Sequence, residues 1–291
     1  MKKKSTLLSI FIILAFSPLF AIETMVCATA SNFAFTPTGD FESNKPRYGT
    51  NVSVGDQLQD NLVGAVSFES SPVNGNLLAA RAKWSTSFLE ISAGPSFGML
   101  NSSGSSKDIP VLFQPGVGIG FTISMPGIIT AEADTVFAIP SATASAGQVY
   151  LQKSRLAAGV FLPHVLCTLA VDQQTNSLDS PTEIRIRSMT DYGLYTEAYK
   201  KGAPFRASIN FIYRVSDYYA GVDNAVNKKI GNLLLGGGLT WAPQNDLNVF
   251  ISGNGALYTF SLGEKADGLD KFFFDAKVGV IIRTSSAGSK K

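Results

Sequence analysis

Hydrophobic and polar residues alternate along this chain with a period of two. The clearest run is Phe205–Val215: Phe205, Ala207, Ile209, Phe211, Tyr213 and Val215 share one parity, while Arg206, Ser208, Asn210 and Arg214 share the other, with Ile212 as the exception. Successive side chains of a strand point to opposite faces, so this run predicts a strand with one greasy and one polar side. A helix would scatter the arginines and aromatics around its circumference. Eleven residues exceed the ~5–6 of an ordinary soluble strand and match the roughly 9–11 that cross a bilayer at a tilt.

The pattern recurs. Phe272, Phe274, Ala276, Val278, Val280 and Ile282 alternate with Lys271, Asp275, Lys277, Gly279 and Arg283. Val117, Ile119, Phe121 and Ile123 alternate with glycines, Thr122 and Ser124; Ile129, Ala131 and Ala133 with Thr130, Glu132 and Asp134. Leu78, Ala80, Ala82 and Trp84 alternate with Ala79, Arg81 and Lys83, and Ile184 and Ile186 with Glu183, Arg185 and Arg187. Weaker versions cover Tyr48–Val54, Leu62–Phe68, Leu89–Ala93, Val165–Val171 and Leu233–Trp241. Val149–Leu162 is ambiguous, because Lys153 and Arg155 share a parity with Val149 and Leu151.

The breaks between runs alternate as well. Long polar breaks at Leu262–Asp270, Ser216–Gly231, Gln173–Thr182, Pro140–Gly147, Asn101–Pro110, Ser70–Asn76 and Thr38–Pro46 are interleaved with shorter ones. The shorter breaks are Ala242–Asp246, Tyr199–Pro204, Pro163-His164, Pro126-Gly127, Ser85-Thr86 and Leu58–Asn61. Short turns on one rim and long loops on the other are the mark of an up-and-down outer-membrane barrel. The fold expected is therefore all-β: one antiparallel up-and-down transmembrane β-barrel of about 12–14 strands, with short periplasmic turns and longer extracellular loops. Trp84, Tyr199 and Trp241 stand just before short turns and are candidates for an interfacial aromatic girdle.

Residues 1–30 read as a cleaved signal peptide: Lys2–Lys4, an apolar centre Leu7–Phe16, then small residues at Ala21, Ala28 and Ala30. Cleavage is expected after Ala28 or Ala30, with Ala21 as the less favoured site. The barrel is then expected over 31–284, followed by a polar tail, 285–291. With Cys27 removed, Cys167 would stand alone. A lipid-modified Cys27 is the rival, against which Thr24-Met25-Val26 lacks the small residue such signals place before the cysteine. Charged residues are 16% of the chain against a typical ~25%, too few for the outside of a large soluble domain. The net charge of +2, with no basic block after the leader, argues against nucleic acid as a partner.

The sequence resembles bacterial outer-membrane β-barrel proteins, spirochaetal ones in particular. The features that carry this are the Lys-rich leader, the Gly-alternating Gln114–Phe121 and the terminal aromatic strand Phe272–Ile282. OmpW-like barrels, OmpG-like monomeric porins and FadL-like hydrophobic-solute channels are the families it is similar to. It departs from their pattern in ending Ser285–Lys291 rather than on an aromatic residue. The resemblance implies residence in the bacterial outer membrane, with the lipid bilayer, the assembly machinery and small solutes as partners.

Chemistry of other kinds has little to stand on. His164 is the one histidine and follows Pro163 in the tightest expected turn, so a Ser-His-Asp arrangement would have to be built there. No spacing suits a metal, and Gly236-Gly237-Gly238 lacks the lysine of a phosphate loop. No cofactor is expected and the chain reads as a non-enzyme. The candidate functional residues are those whose parity faces the lumen: Arg81, Lys83, Arg185, Arg187, Arg206, Arg214, Lys277 and Arg283, with Glu90, Glu132, Asp134, Glu183, Glu197 and Asp275. They line either a polar pore whose fixed charges set its selectivity or a lumen closed by their pairing. The function expected is a passive porin-like channel for small solutes. The alternatives are a surface adhesin or structural barrel, binding host ligands through loops such as Ser216–Gly231 with Tyr218 and Tyr219, and a soluble exported β-protein holding a small hydrophobic ligand.

Overall fold

The computed structural model describes residues 23–33, 46–71, 75–99, 113–138, 148–179, 184–200, 203–221 and 226–284. The leader up to residue 22, Glu183 and the 285–291 tail lie outside them. The strands are β1 (Glu23–Ser31), β2 (Arg47–Gln59), β3 (Leu62–Ser71), β4 (Gly75–Ser85), β5 (Leu89–Met99), β6 (Phe113–Met125) and β7 (Ile129–Ala138). They continue with β8 (Gln148–Leu162), β9 (Val165–Asp179), β10 (Ile184–Ala198), β11 (Phe205–Ala220), β12 (Val226–Gln244), β13 (Leu247–Ser261) and β14 (Phe274–Arg283). Each pairs antiparallel with its chain neighbours, and β1 pairs with β14 to close a 14-stranded up-and-down barrel.

The wall begins earlier than the expected boundary at residue 31. Glu23 stands opposite Arg283 on one side and Gly55 on the other, and Ser31 opposite Asp275 and Arg47. Cys27, Ala28 and Ala30, read from sequence as the end of the leader, are thus mid-strand positions of β1. Cys27 faces inward and is buried, whereas Cys167 has the outward parity of Leu169, so the two thiols lie on opposite faces of the wall.

Ion pairs identify the inner face without reference to any membrane. Arg81 of β4 bonds Asp134 of β7, Lys153 of β8 reaches Glu69 of β3 at 2.7 Å, and Arg214 of β11 reaches Asp275 of β14 at 3.1 Å. Strands three or five apart can meet only across the lumen, so these residues and everything sharing their parity point inward. The other parity carries Leu156, Leu169, Ile209, Phe211, Ile251 and Val278, all exposed. A soluble barrel would have the reverse arrangement, and the soluble hydrophobic-ligand alternative falls with it.

On β11 the outward apolar run extends from Phe205 to Val215, and Asp217 follows, paired on the outer face with Lys229 at 3.4 Å. Ten rises of ~3.3 Å at a tilt of about 40° span roughly 25 Å, the height of the apolar band on such barrels. Trp241 (45% exposed) stacks on Phe205 beside the short-turn rim, and Trp84 (43% exposed) lies at the same rim. A closed barrel satisfies every interior backbone group within the sheet, which is what a hydrocarbon environment demands. This is the architecture of a bacterial outer-membrane β-barrel, and it places the chain in that membrane.

Strand lengths are unequal. β8–β13 run 15 to 19 residues, whereas β1 has 9 and β14 has 10, so one side of the wall rises above the membrane on the long-loop side. Two stretches expected as long loops, Gln173–Thr182 and Ser216–Gly231, are consequently mostly strand. On the opposite rim the connections stay short, and Pro163-His164 is tight enough to hold His164 at φ 66°.

Candidate functional site: a charged row across the lumen

The register aligns one row of inward residues along the hydrogen-bonding direction. Asp134, Arg155, Asp172, Asp191, Arg214, Asn232 and Thr259 are consecutive partners from β7 to β13. Asp172 and Asp191 are like charges standing directly opposite, which is unfavourable in a sheet unless each is neutralised from elsewhere. Both are. Arg155 bonds both oxygens of Asp172 at 2.7 and 2.8 Å, and Tyr195 donates its hydroxyl to the same carboxylate at 3.3 Å. Arg214 forms the fork-on-fork arrangement with Asp191, at 2.7 Å for both bonds, and such bidentate pairs fix geometry as well as charge.

Arg214 is held more completely than any other lumen cation among the described residues. It is 6% exposed, reaches Asp275, and lies 4.5 Å from the centre of the Phe33 ring. Asn254 donates to the Oδ1 of Asp275 at 2.7 Å. Under this network sits an apolar cluster that sequence alone gave no reason to place in a lumen. Ile212, Ile230 and Leu234 point inward from the wall and pack with Phe33, Ala266 and Phe273. Phe33 stacks on Phe273 at 5.5 Å, and the Asn32 side chain donates to Phe272 O and accepts from Phe274 N, fastening the chain after β1 against β14. The β13–β14 connection thus enters the barrel as a plug on the long-loop half. Ile212, the one breach of alternation in Phe205–Val215, is apolar because it faces this plug.

The opposite side is narrowed by the wall itself. Leu151 is buried, and a Cβ at Gly98 would stand 3.6 Å from its Cβ, so β5 and β8 nearly touch within the lumen. Lys153–Glu69 crosses beside them. Below, Arg81 lies across β5 and β6 to reach Asp134, with a second bond at 3.1 Å. The Gly-alternating segment forms the floor for that pair: a Cβ on Gly118 would fall 2.7 Å from Arg81 Nε, and one on Gly120 2.6 Å from Asp134 Oδ2. Side chains there would displace the ion pair, which is a physical reason for glycine at both inward positions.

Lumen cavities lie at two levels among the described residues. One of about 450 Å³ lies toward the short-turn rim, among Thr130, Thr168, Tyr195, Ser208, Asn210 and Ser252. The other, about 180 Å³, lies above, among Asp134, Lys153, Asp172, Gln174 and Asp191. Glu132 and Arg155 border both, so their 3.2 Å ion pair is the partition between them. A further concavity, about 750 Å³, is on the outer apolar surface around Ala131, Ala133, Leu156 and Leu169 and faces lipid.

The remaining sequence-derived candidates are placed as follows. Lys83 pairs with Glu90 at 2.7 Å, Arg206 with Glu197 at 3.6 Å near the short-turn rim, and Arg283 with Glu23 at 2.8 Å. Arg187 lies 5.6 Å from the centre of the Tyr218 ring. Lys277 is inward and exposed, with no carboxylate of the described residues within 4 Å. The backbone of Arg185 sits in β10 opposite Ala220 and Leu178. Tyr199 bonds Leu162 O at 3.3 Å and packs edge-on against Phe161, and its own amide donates to His164 O. Tyr218 is 1% exposed, inside the barrel, and so is not the surface contact residue expected of a loop. Glu69, Lys153, Arg155, Asp172 and Asp191 carry much of the site and were not among the expected lumen charges. Among the described residues, no group of His, Cys, Asp and Glu could hold a metal ion.

No protein-family model matches the chain, and no curated protein matches it in sequence. Solved structures similar to it include OmpT, an outer membrane protein of Vibrio cholerae (9% identity over 90% of this chain and 96% of that one, TM-score 0.43). Others are the CymD monoaromatic hydrocarbon channel (13%, 92% and 89%, TM-score 0.44) and the outer membrane channel DcaP of Acinetobacter baumannii (8%, 90% and 95%, TM-score 0.42). Likeness this distant says nothing about what the chain does.

Proposed function

We propose that this barrel is a passive outer-membrane channel for small solutes, narrowed at mid-lumen by the Arg155–Glu132 pair. The observation that carries the reading is the pair of cavities, about 450 and 180 Å³, stacked within one closed barrel and both bordered by the Arg155–Glu132 pair. A structural barrel has no use for charged groups poised between two voids, whereas a channel uses fixed charges at a constriction to sort what passes. Glu132 is the partner free to yield, since Arg155 keeps two bonds to Asp172 when Glu132 moves away. Inward charge is close to balanced: Lys153 and Arg155 are joined by Glu69, Asp172 and Asp191, which halves the small basic excess expected from sequence. Purified protein in planar bilayers should therefore give small, ohmic conductance steps with little preference between potassium and chloride. Strong selectivity in the wild type would contradict the balance of charge.

The leader is read as ending at Ala21. Closure between β2 and β14 uses residues 23–31, and Ala21 is the one small residue of the expected cleavage sites that precedes them. Mass spectrometry of the protein from outer membranes should find Ile22 at the amino terminus; Thr29 or Ser31 there would leave the seam without its strand and would refute this.

A further inference from the structure

We infer that the larger lumen cavity is a binding site for small, neutral, hydroxyl-rich solutes such as hexitols and hexoses. The inference rests on the channel reading and adds the class of solute. Every ionised side chain on the cavity's lining is matched by another: Arg155 by Asp172 and Glu132, and Glu197 by Arg206; Lys277 stands opposite Ser252 in the register but is not part of that lining. A charged solute entering would shed water and find no unpaired counter-charge on the lining. An apolar solute would find little to cover it, since Ala157 and Leu166 are the apolar aliphatic side chains on the lining. What the wall does offer is hydroxyl and amide groups that both donate and accept: Thr130, Thr168, Ser208, Asn210 and Ser252, with the ring of Tyr195 beside them. Those are the groups that can replace, bond for bond, the water around a polyol.

Size agrees. At about 30 Å³ per water, a cavity of about 450 Å³ holds about fifteen waters, enough room for a solute of about a dozen heavy atoms with some hydration left. The upper cavity, about 180 Å³, is too small to hold the same solute with any such shell, so the solute would rest below the Arg155–Glu132 partition before passing it. Asn210 is the most adaptable of the lining groups. Its one side-chain bond, to Asn254, is long at 3.5 Å and leaves the amide able to turn toward a guest.

The experiment is ionic current through the intact barrel in planar bilayers, with sorbitol titrated against a short polyethylene glycol of matched size. Sorbitol should lower the conductance saturably, by at least about half, because a bound guest excludes ions from a cavity of this size. The polyethylene glycol should lower it only in proportion to bulk conductivity. Saturation should disappear in Asn210→Leu and, independently, in Ser252→Val, each checked for heat-modifiable migration as a sign of folding. Ionic current with identical, non-saturating responses to both solutes overturns this inference and leaves the channel standing, as does saturation that survives both substitutions. Absence of any ionic current from folded protein overturns the channel reading and this inference together.

Discussion

Replacing Arg155 by Met removes one positive charge from the partition while keeping much of the side chain's bulk. The groups it leaves behind, Asp172 and Glu132, have side chains 32% and 39% exposed toward the cavities, so water screens them and the barrel should still assemble. An ion passing about 5 Å from one unit charge at water's dielectric constant feels about 0.8 kcal/mol. At 0.1 M salt, with a Debye length of about 10 Å, about 0.5 kcal/mol of that survives. Cations gain this much and anions lose it, so the permeability ratio should move by about 1 kcal/mol, roughly fivefold toward cations. At 1 M salt, where the Debye length is about 3 Å, the shift should shrink below about twofold. Glu132→Gln removes the opposite charge from the same place and should move the ratio toward anions by a similar factor. The assay is the reversal potential across a tenfold salt gradient. Unchanged potentials in both variants, or shifts of the same sign, would mean that ions do not pass the Arg155–Glu132 pair.

Three further outcomes follow from the same geometry. Ile209→Arg places a charge in the middle of the outer apolar band, where Ile209 is 64% exposed, and should cost roughly 2–4 kcal/mol of membrane stability, whereas Asn210→Arg, on the inner face, should assemble normally; equal yields in a vesicle-folding assay would reverse the assignment of faces. Phe273→Ala removes a ring buried to 1% from the plug and should lower resistance to denaturant by about 3–5 kcal/mol while raising conductance; a destabilised barrel with unchanged conductance would show that the plug does not obstruct the path. Arg214→Met strips the cation from Asp191, whose side chain is only 11% exposed, so it should impair folding by about 3–5 kcal/mol, far more than Arg155→Met does; comparable thermal melts for the two would contradict the contrast in burial.

Strand parity was legible in the sequence wherever the lumen is wet. The runs around Arg81, Glu132, Arg206 and Lys277 alternate cleanly because one face meets lipid and the other meets water or paired charge. Legibility fails where the lumen is filled. Ile212 and Leu151 break the alternation because they face the plug and the β5–β8 pinch, and Leu151 thereby hid the direction of Lys153 and Arg155 on the same strand. Asp172 and Asp191 escaped for a different reason. They stand at the edge of the apolar band, flanked by outward Val171 and Tyr192, and beyond Asp172 both faces of β9 are polar, so Gln173–Thr182 reads as loop although most of it is β9. Strand β1 was concealed by overlap of two signals. The small, uncharged residues of Thr24–Ala30 suit a cleavage site and suit an alternating strand equally, and the strand shows itself only in its pairing with β14 and β2. A long-range charge row of this kind is set by register, which a one-residue slip would reverse and which no local pattern records.

The most direct test of the central claim is single-channel recording from purified protein whose heat-modifiable migration shows it to be folded. A water-filled path through the 14-stranded wall predicts discrete, ohmic steps that vanish when the sample is boiled before reconstitution. Folded protein that gives no steps at any applied voltage would contradict that path, and would mean that the plug and the paired charges close the barrel from rim to rim.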